Sequence, residues 1–408
     1  MNEYAARFPL LVVALPKIII LLFVLLTALA YLTWFERKVV AHIQSRWGPY
    51  RVGPHGLLQP LADGVKFLFK EDVTPAGADK FLYFLAPFLS LSLAITSIAV
   101  IPFGPKGLTI FGQATPTGIA NLNIGILILF AITSMGVYGV ALAGWASNSK
   151  YPLLGGLRSS AQMISYELAL TMSVVGVILM AGTFNLSEIV TSQQGFHWGF
   201  MPRWNVIGGP LPQVLGFLLF FTSAVAETNR APFDLAEAES ELVAGFHTEY
   251  ASFKFAMFFM AEYASMITVS CLATILFFGG WLSPFAQIPL LAWTHYIPTA
   301  VFAIAGLALM AHGVRYITLF GRLVLPVLGA ALLGLGLLFS LPAVIEYVQG
   351  PFWFLSKIAV FLFIYVWARG TLPRFRYDQL MNFGWKVLLP LSILNVVITS
   401  LAIVLTQP

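Results

Sequence analysis

Long apolar runs separated by short polar stretches organise this chain. They fall at roughly 10–34, 81–103, 122–145, 159–183, 211–229, 250–279, 296–314, 323–345, 352–370 and 385–405. Runs of this length cross about 30 Å of hydrocarbon as helices. A helix is required because a chain in lipid must satisfy its own backbone hydrogen bonds. A membrane barrel would instead show alternating segments of about ten residues. The pattern therefore predicts an all-α polytopic membrane protein with about ten transmembrane helices in one integral membrane domain, 1–408. The first run is too long for a signal peptide, ends on Trp34 and Glu36, and lacks a small-residue cleavage site. It is read as a transmembrane helix.

Composition agrees: 59% of residues are hydrophobic, 10% are charged, and the mean hydropathy is +0.86. An ordinary soluble domain carries roughly a quarter charged residues, so that class is excluded. Lysine and arginine set the orientation. With ten spans, one set of loops and adjoining span ends holds 17 of the 22 basic residues, from Arg37 and Lys38 through Arg315 and Arg322 to Lys386. Arg7, Lys17, Lys106, Arg203 and Lys357 remain for the other side and the remaining span ends. Both termini are expected outside and the large loops inside, and the basic balance reflects this bias rather than nucleic-acid binding.

The first inner loop, 35–80, contains Gly48-Pro49 and Gly53-Pro54, which break a helix. After them, Leu57, Leu58, Leu61, Val65, Phe67, Leu68 and Phe69 predict a short amphipathic helix at the interface. The inner loop 228–249 is acidic. Within 227–250 lie Glu227, Asp234, Glu237, Glu239, Glu241 and Glu249, six of the chain's 17 acids, against the single Arg230. Interleaved Phe233, Leu235, Leu242, Val243 and Phe246 argue for partial burial rather than a solvated loop.

Glu36, Glu167, Glu227 and Glu262 lie inside or at the ends of apolar runs. A charge at the bilayer centre costs about 2.5–3.5 kcal/mol on insertion scales, so such residues normally face a polar interior. A series of carboxyls there can pass protons; the alternative for any one of them is a structural hydrogen bond. The lone Cys271 makes no internal disulfide, six scattered histidines show no ligand spacing, and there is no cysteine cluster, dinucleotide fingerprint or P-loop. Any redox cofactors are expected in partners.

Four stretches resemble one family: "ERKVVAHIQSRWGP" with "GLLQPLADGVK"; "GWASNSKYPLLGGLRSSAQMISYE"; "ETNRAPFDLAEAESELVAGFHTEY" with "FFMAEY"; and "WARGTLPRFRYDQLMNFGWK". In this order they resemble the H-subunit family of the proton-pumping NADH:quinone oxidoreductase, respiratory complex I. The resemblance implies a translocase component in a bacterial inner membrane. A protein of this family holds no redox cofactor; FMN and iron–sulfur clusters reside in partner subunits, and quinone is the substrate. Implied partners are the peripheral-arm quinone-site and iron–sulfur subunits, small membrane subunits leading to antiporter-like subunits, and lipid.

Carried over residue by residue, the resemblance implies a carboxylate path of Glu36, Glu167, Glu227, Asp234, Glu237, Glu239, Glu241, Glu249 and Glu262. Its counter-charges are Arg37, Arg46, Arg230, Arg369 and Arg374. The expected quinone wall comprises Arg37, Arg46, Asp63, Phe259 and Tyr263. The family has a core of eight spans, so 285–345 reads as an inserted helix pair.

Two alternatives stand beside this reading. One is the homologous anchor of a hydrogenase or a ferredoxin- or deazaflavin-linked complex, which gene neighbours distinguish. The other is a cation transporter, for which inverted repeats are expected and none is visible. The ten-span arrangement is checked with Ser283→Cys, whose thiol should react with an impermeant reagent only from the outer side. Labelling from the inner side would defeat it.

Overall fold

The computed structural model describes residues 2–105, 109–110, 113–114, 117–197, 201–234, 244–285, 289–316 and 318–406. The acidic residues Glu237, Glu239 and Glu241 lie outside these. The long elements are α1 (Asn2–Ile43), α2 (Gln59–Phe69), α3 (Lys80–Ile98), α4 (Gly125–Ala146) and α5 (Lys150–Ala181). After the short α6 (Leu186–Ser192) come α7 (Val214–Glu227), α8 (Ser252–Phe277), α9 (Ile297–Val314), α10 (Leu319–Phe339) and α11 (Pro342–Thr371). The chain closes with α12 (Tyr377–Phe383), a π-helical turn and α13 (Leu389–Thr406). The only sheets among the described residues are two hairpins of two-residue strands.

Local chemistry explains the boundaries. The Asp79 side chain caps α3 by accepting from the amides of Phe81 and Leu82. Gly182, at φ 67°, terminates α5 in the left-handed conformation that suits glycine. The two Gly-Pro steps fall in the irregular stretch between α1 and α2.

Nine helical stretches among the described residues are long and apolar enough to cross a membrane. The tenth expected span, α7, has only 14 residues, about 21 Å at 1.5 Å per residue. It still links the two ends of the bundle. Gln213, just before it, lies against Gly176 late in α5, while the Ala226 carbonyl, near its end, accepts from Gln162 early in α5 (2.8 Å). Flanking non-helical chain makes up the length, with Gln213 bonded to Thr399 (2.9 Å) and Asn395 (3.0 Å). Buried side-chain amides of this kind let non-helical backbone persist within an apolar bundle.

The central helix is α8, whose Ala264, Cys271, Leu272, Ile275 and Leu276 are buried in the main core cluster. It touches α3, α11, α7, α6, α1 and α2. Helix α9 packs along α10, where a Cβ on Gly306 would come within 2.7 Å of the Gly329 carbonyl. Small residues permit that approach.

The carbonyls ending α8 lack intrahelical partners; two side chains supply them, and a third binds the carbonyls that follow. Gln193 donates to Ile275 O (2.8 Å) and Asn205 to Leu276 O (2.8 Å). Lys357 Nζ donates to the carbonyls of Phe278 (2.7 Å), Gly280 (2.9 Å) and Leu282 (2.8 Å), and lies 4.4 Å from the Trp204 ring centre. A cation at a helix C-terminus also complements its dipole. Lys357→Met should cost about 1.5–3 kcal/mol, the range for hydrogen bonds to a charged group. It would appear as a lower unfolding midpoint in a thermal melt of the detergent-solubilised protein.

Candidate functional site: a buried carboxylate–guanidinium cluster

At the basic end of the bundle, α1, α8, α11 and the chain after α7 converge on Arg230, which is 5% exposed. Its Nη1 lies 3.8 Å from Glu36 Oε1 and its Nη2 lies 3.6 Å from Glu262 Oε2. The guanidinium stacks over the Tyr263 ring, 4.2 Å from the centroid. Tyr263 donates its hydroxyl to Glu36 Oε2 (2.7 Å), and Arg369 forms an ion pair with Glu36. Two acids thus face two guanidiniums. That balance matters, because breaking one partner out of a buried ion pair typically costs about 3–5 kcal/mol.

Helical spacing produces this arrangement. Glu262 and Tyr263 are adjacent on α8, and Glu36 lies near the end of α1. Arg230 is held by the turn after α7, where Asn229 donates to Ser159 (3.1 Å) and the Phe233 amide donates to the Arg230 carbonyl (2.8 Å). Gln162 clamps the same turn by donating to the carbonyls of Ala226 (2.8 Å) and Phe233 (2.9 Å).

From Glu262 a cavity of about 80 Å³ runs between α3, α4, α5, α7 and α8, against roughly 10–15 Å³ for one water. Its polar lining includes Glu262, Glu227, Thr228, Asn229, Ser265 and Thr268. Thr133 of α4 also lines it, and the next residue, Ser134, donates to Glu167. The cavity thus joins Glu262 to Glu227 and passes beside the Glu167 contact.

Other expected site residues are distributed around this cluster. Asp63 accepts from Arg37 (2.7 Å) and from Gln59 (3.1 Å), which ties α2 to α1. Asp234 pairs with Arg374 (3.1 Å). Arg46 is exposed and donates to Gln44 (2.7 Å). Glu249 contributes its backbone carbonyl to the Tyr83 hydroxyl (2.6 Å). Phe259 packs against Phe255 and His247, at 4.5 and 5.7 Å between centroids. Among the described residues no three His, Cys, Asp or Glu side chains converge as metal ligands.

The sequence pattern did not single out Gln162, Tyr166 or Lys357. Gln162 and Tyr166 stand one helical turn apart within the quoted α5 motif, among Ser159, Ser160, Ser165 and Glu167, and nothing in that polar stretch set them apart. Tyr166 donates to the Leu380 carbonyl (2.8 Å), anchoring the chain after α11.

Fold and site define a polytopic helical membrane protein with a charge-balanced cluster and, beside it, a mostly apolar cavity that two carboxylates border. The chain belongs to the NADH dehydrogenase family, whose profile matches residues 16–400. It is 52% identical to the NADH-quinone oxidoreductase H-subunit 1 of Solibacter usitatus (strain Ellin6076) over 97% of each chain. It is 51% identical to the NADH-quinone oxidoreductase H-subunit 2 of Koribacter versatilis (strain Ellin345), over 97% of this chain and 98% of the relative. A second Koribacter versatilis protein, H-subunit 1 of NADH-quinone oxidoreductase, is 44% identical over 91% and 87% of the respective chains.

Burial lowers the His247 imidazole to about 4, against about 6.5 in an unfolded chain. Between those values the unfolded chain binds the proton that the packed site refuses. The contribution is therefore full above pH 6.5 and lost as pH falls toward 4. In His247→Phe, thermal melts at pH 7.5 and pH 5 should differ less than in the parent.

Proposed function

We propose that this chain is the membrane subunit of a bacterial NADH:quinone oxidoreductase that forms much of the quinone chamber with peripheral-arm subunits. The names of the relatives support that class, and the connection from the Glu36 cluster through the cavity to Glu227 supports the mechanism. Reduction of a quinone to the quinol takes up two electrons and two protons. The electrons come from FMN and iron–sulfur clusters in partner subunits, and this chain handles protons and charge.

Arg37, Arg46, Asp63, Phe259 and Tyr263 contribute the quinone wall: apolar rings for the ring system and a few fixed polar groups for the head. Proton uptake at the chamber disturbs the balance among Glu36, Arg230, Arg369 and Glu262. The disturbance passes along the cavity to Glu227 and Glu167 and onward to small membrane subunits and antiporter-like subunits. Asp234, Glu237, Glu239, Glu241 and Glu249, with Arg374, form the mouth of that path. The large loops face the cytoplasm and both termini face outside. The helix pair α9–α10 is an addition to a core of eight spans.

The test replaces Glu227. Glu227→Gln keeps size and hydrogen bonding but removes the titratable charge, so the assembled complex should lose most quinone-linked turnover or proton transfer. Glu227→Asp restores a carboxyl one methylene shorter and should recover part of it. Normal turnover with normal proton stoichiometry in assembled Glu227→Gln complex would sink the relay.

A further inference from the structure

A second concavity lies on another face of α1, away from the side chains that meet Arg230 and Asp63. The face bearing Phe35, Lys38, Val39 and His42 forms one wall, and the returning loop with Trp47, Tyr50 and His55 forms the other. It is an open groove, with about 1410 Å³ of empty space including its mouth. Its chemistry is one-sided. Lys38, His42 and His55 line it, with Trp34, Trp47 and Tyr50 among its aromatic residues, and none of the lining residues is acidic.

The lysine and the two histidines are held in place. A Cβ on Gly48 would sit 3.1 Å from both Lys38 Cα and Cδ, so a glycine there lets the loop lie on the lysine stem. The Lys38 ammonium stands 5.7 Å from the Tyr50 ring centre and joins no ion pair with a carboxylate among the described residues. His42 Nδ1–H donates to the Lys38 carbonyl (2.7 Å), which leaves Nε2 as its second ring nitrogen. His55 Nε2 is 2.8 Å from His312 Nε2 of α9, and the His55 amide donates to the Tyr316 hydroxyl (3.0 Å). Burial, with His312 and Lys38 close by, lowers the His55 imidazole below its ordinary value. The positive charge of the groove comes from the Lys38 ammonium. Trp34 adds a buried indole N–H that has no acceptor.

Helix α1 offers 30 residues from Ala14 to Ile43, more than the ~20 that span the hydrocarbon. Its last turns, which carry Lys38 and His42, therefore reach headgroup depth. Tryptophan and tyrosine concentrate at that depth. Cationic pockets beside membrane helices there select anionic headgroups.

We propose that this groove is a binding site for an anionic phospholipid. The headgroup phosphate is held by the Lys38 ammonium beside the rings of His42 and His55, and the acyl chains lie along the exposed apolar face of α1. The inference is independent of the quinone and relay assignments, since none of these side chains belongs to them.

The test uses the whole purified complex in bilayers of phosphatidylcholine containing a few per cent photoactivatable phosphatidylglycerol. Crosslinks should map to the 34–55 peptide and fall several-fold in Lys38→Gln/His42→Gln, while Lys38→Arg retains them. Photoactivatable phosphatidylcholine should label the peptide weakly, and millimolar inorganic phosphate should not protect it. Equal labelling by both lipids, unchanged labelling in the double variant, or protection by inorganic phosphate would each overturn the proposal. Because the two lipids are compared on the unaltered complex, the answer survives a double variant that fails to assemble.

Discussion

A guanidinium buried among apolar helices is costly unless opposite charge meets it, and Arg230 imposes that demand on much of the basic end of this bundle. Two carboxylates, Glu36 and Glu262, approach it from α1 and α8, and Arg369 restores the balance from α11. The aromatic face of Tyr263 covers the guanidinium while its hydroxyl serves Glu36. Because the partners come from separate segments, the cluster ties those segments at defined levels. The desolvation penalty makes a displaced partner expensive, so the cluster specifies how the helices are registered as well as what the site can do.

The same logic operates at the other end with amides, a hydroxyl and one lysine. Where α7 is too short, Gln213, Asn395 and Thr399 exchange hydrogen bonds among buried side chains. Where α8 stops, Gln193 and Asn205 take up its last carbonyls and Lys357 those that follow. An apolar bundle has no water to offer these groups, so each break in a helix needs a side-chain partner. The cavity between Glu262 and Glu227 is lined mostly by apolar side chains, with Ser265, Thr268, Thr228 and Asn229 among its polar ones.

The helix pair α9–α10 has a different character. It packs chiefly on itself and reaches the rest of the chain through α11 and the loop at Pro54–Gly56. Its contact at His55, His312 and Tyr316 forms one border of the cationic groove on α1. A lipid-facing hairpin can thus shape a surface without entering the central chemistry.

Length and apolar character made the nine helices of crossing length, and the shorter apolar helix α7, legible in the one-dimensional pattern, because spanning a bilayer demands a long run of apolar residues. The isolated acids Glu36, Glu167, Glu227 and Glu262 were legible for the complementary reason: a charge in such a run needs a polar surrounding. What the pattern could not convey was pairing. Arg230 reads as the lone base of an acidic loop, yet it meets Glu36 and Glu262 across long sequence separations. Lys357 reads as one of five basic residues left to the other side and the span ends, and it binds the carbonyls just beyond α8. The shortness of α7 also escaped, since hydropathy counts the flanking chain as readily as the helix. Composition and periodicity report each residue's preference for lipid or water. Which polar groups satisfy one another depends on how the helices are laid side by side, and tertiary packing alone decided that.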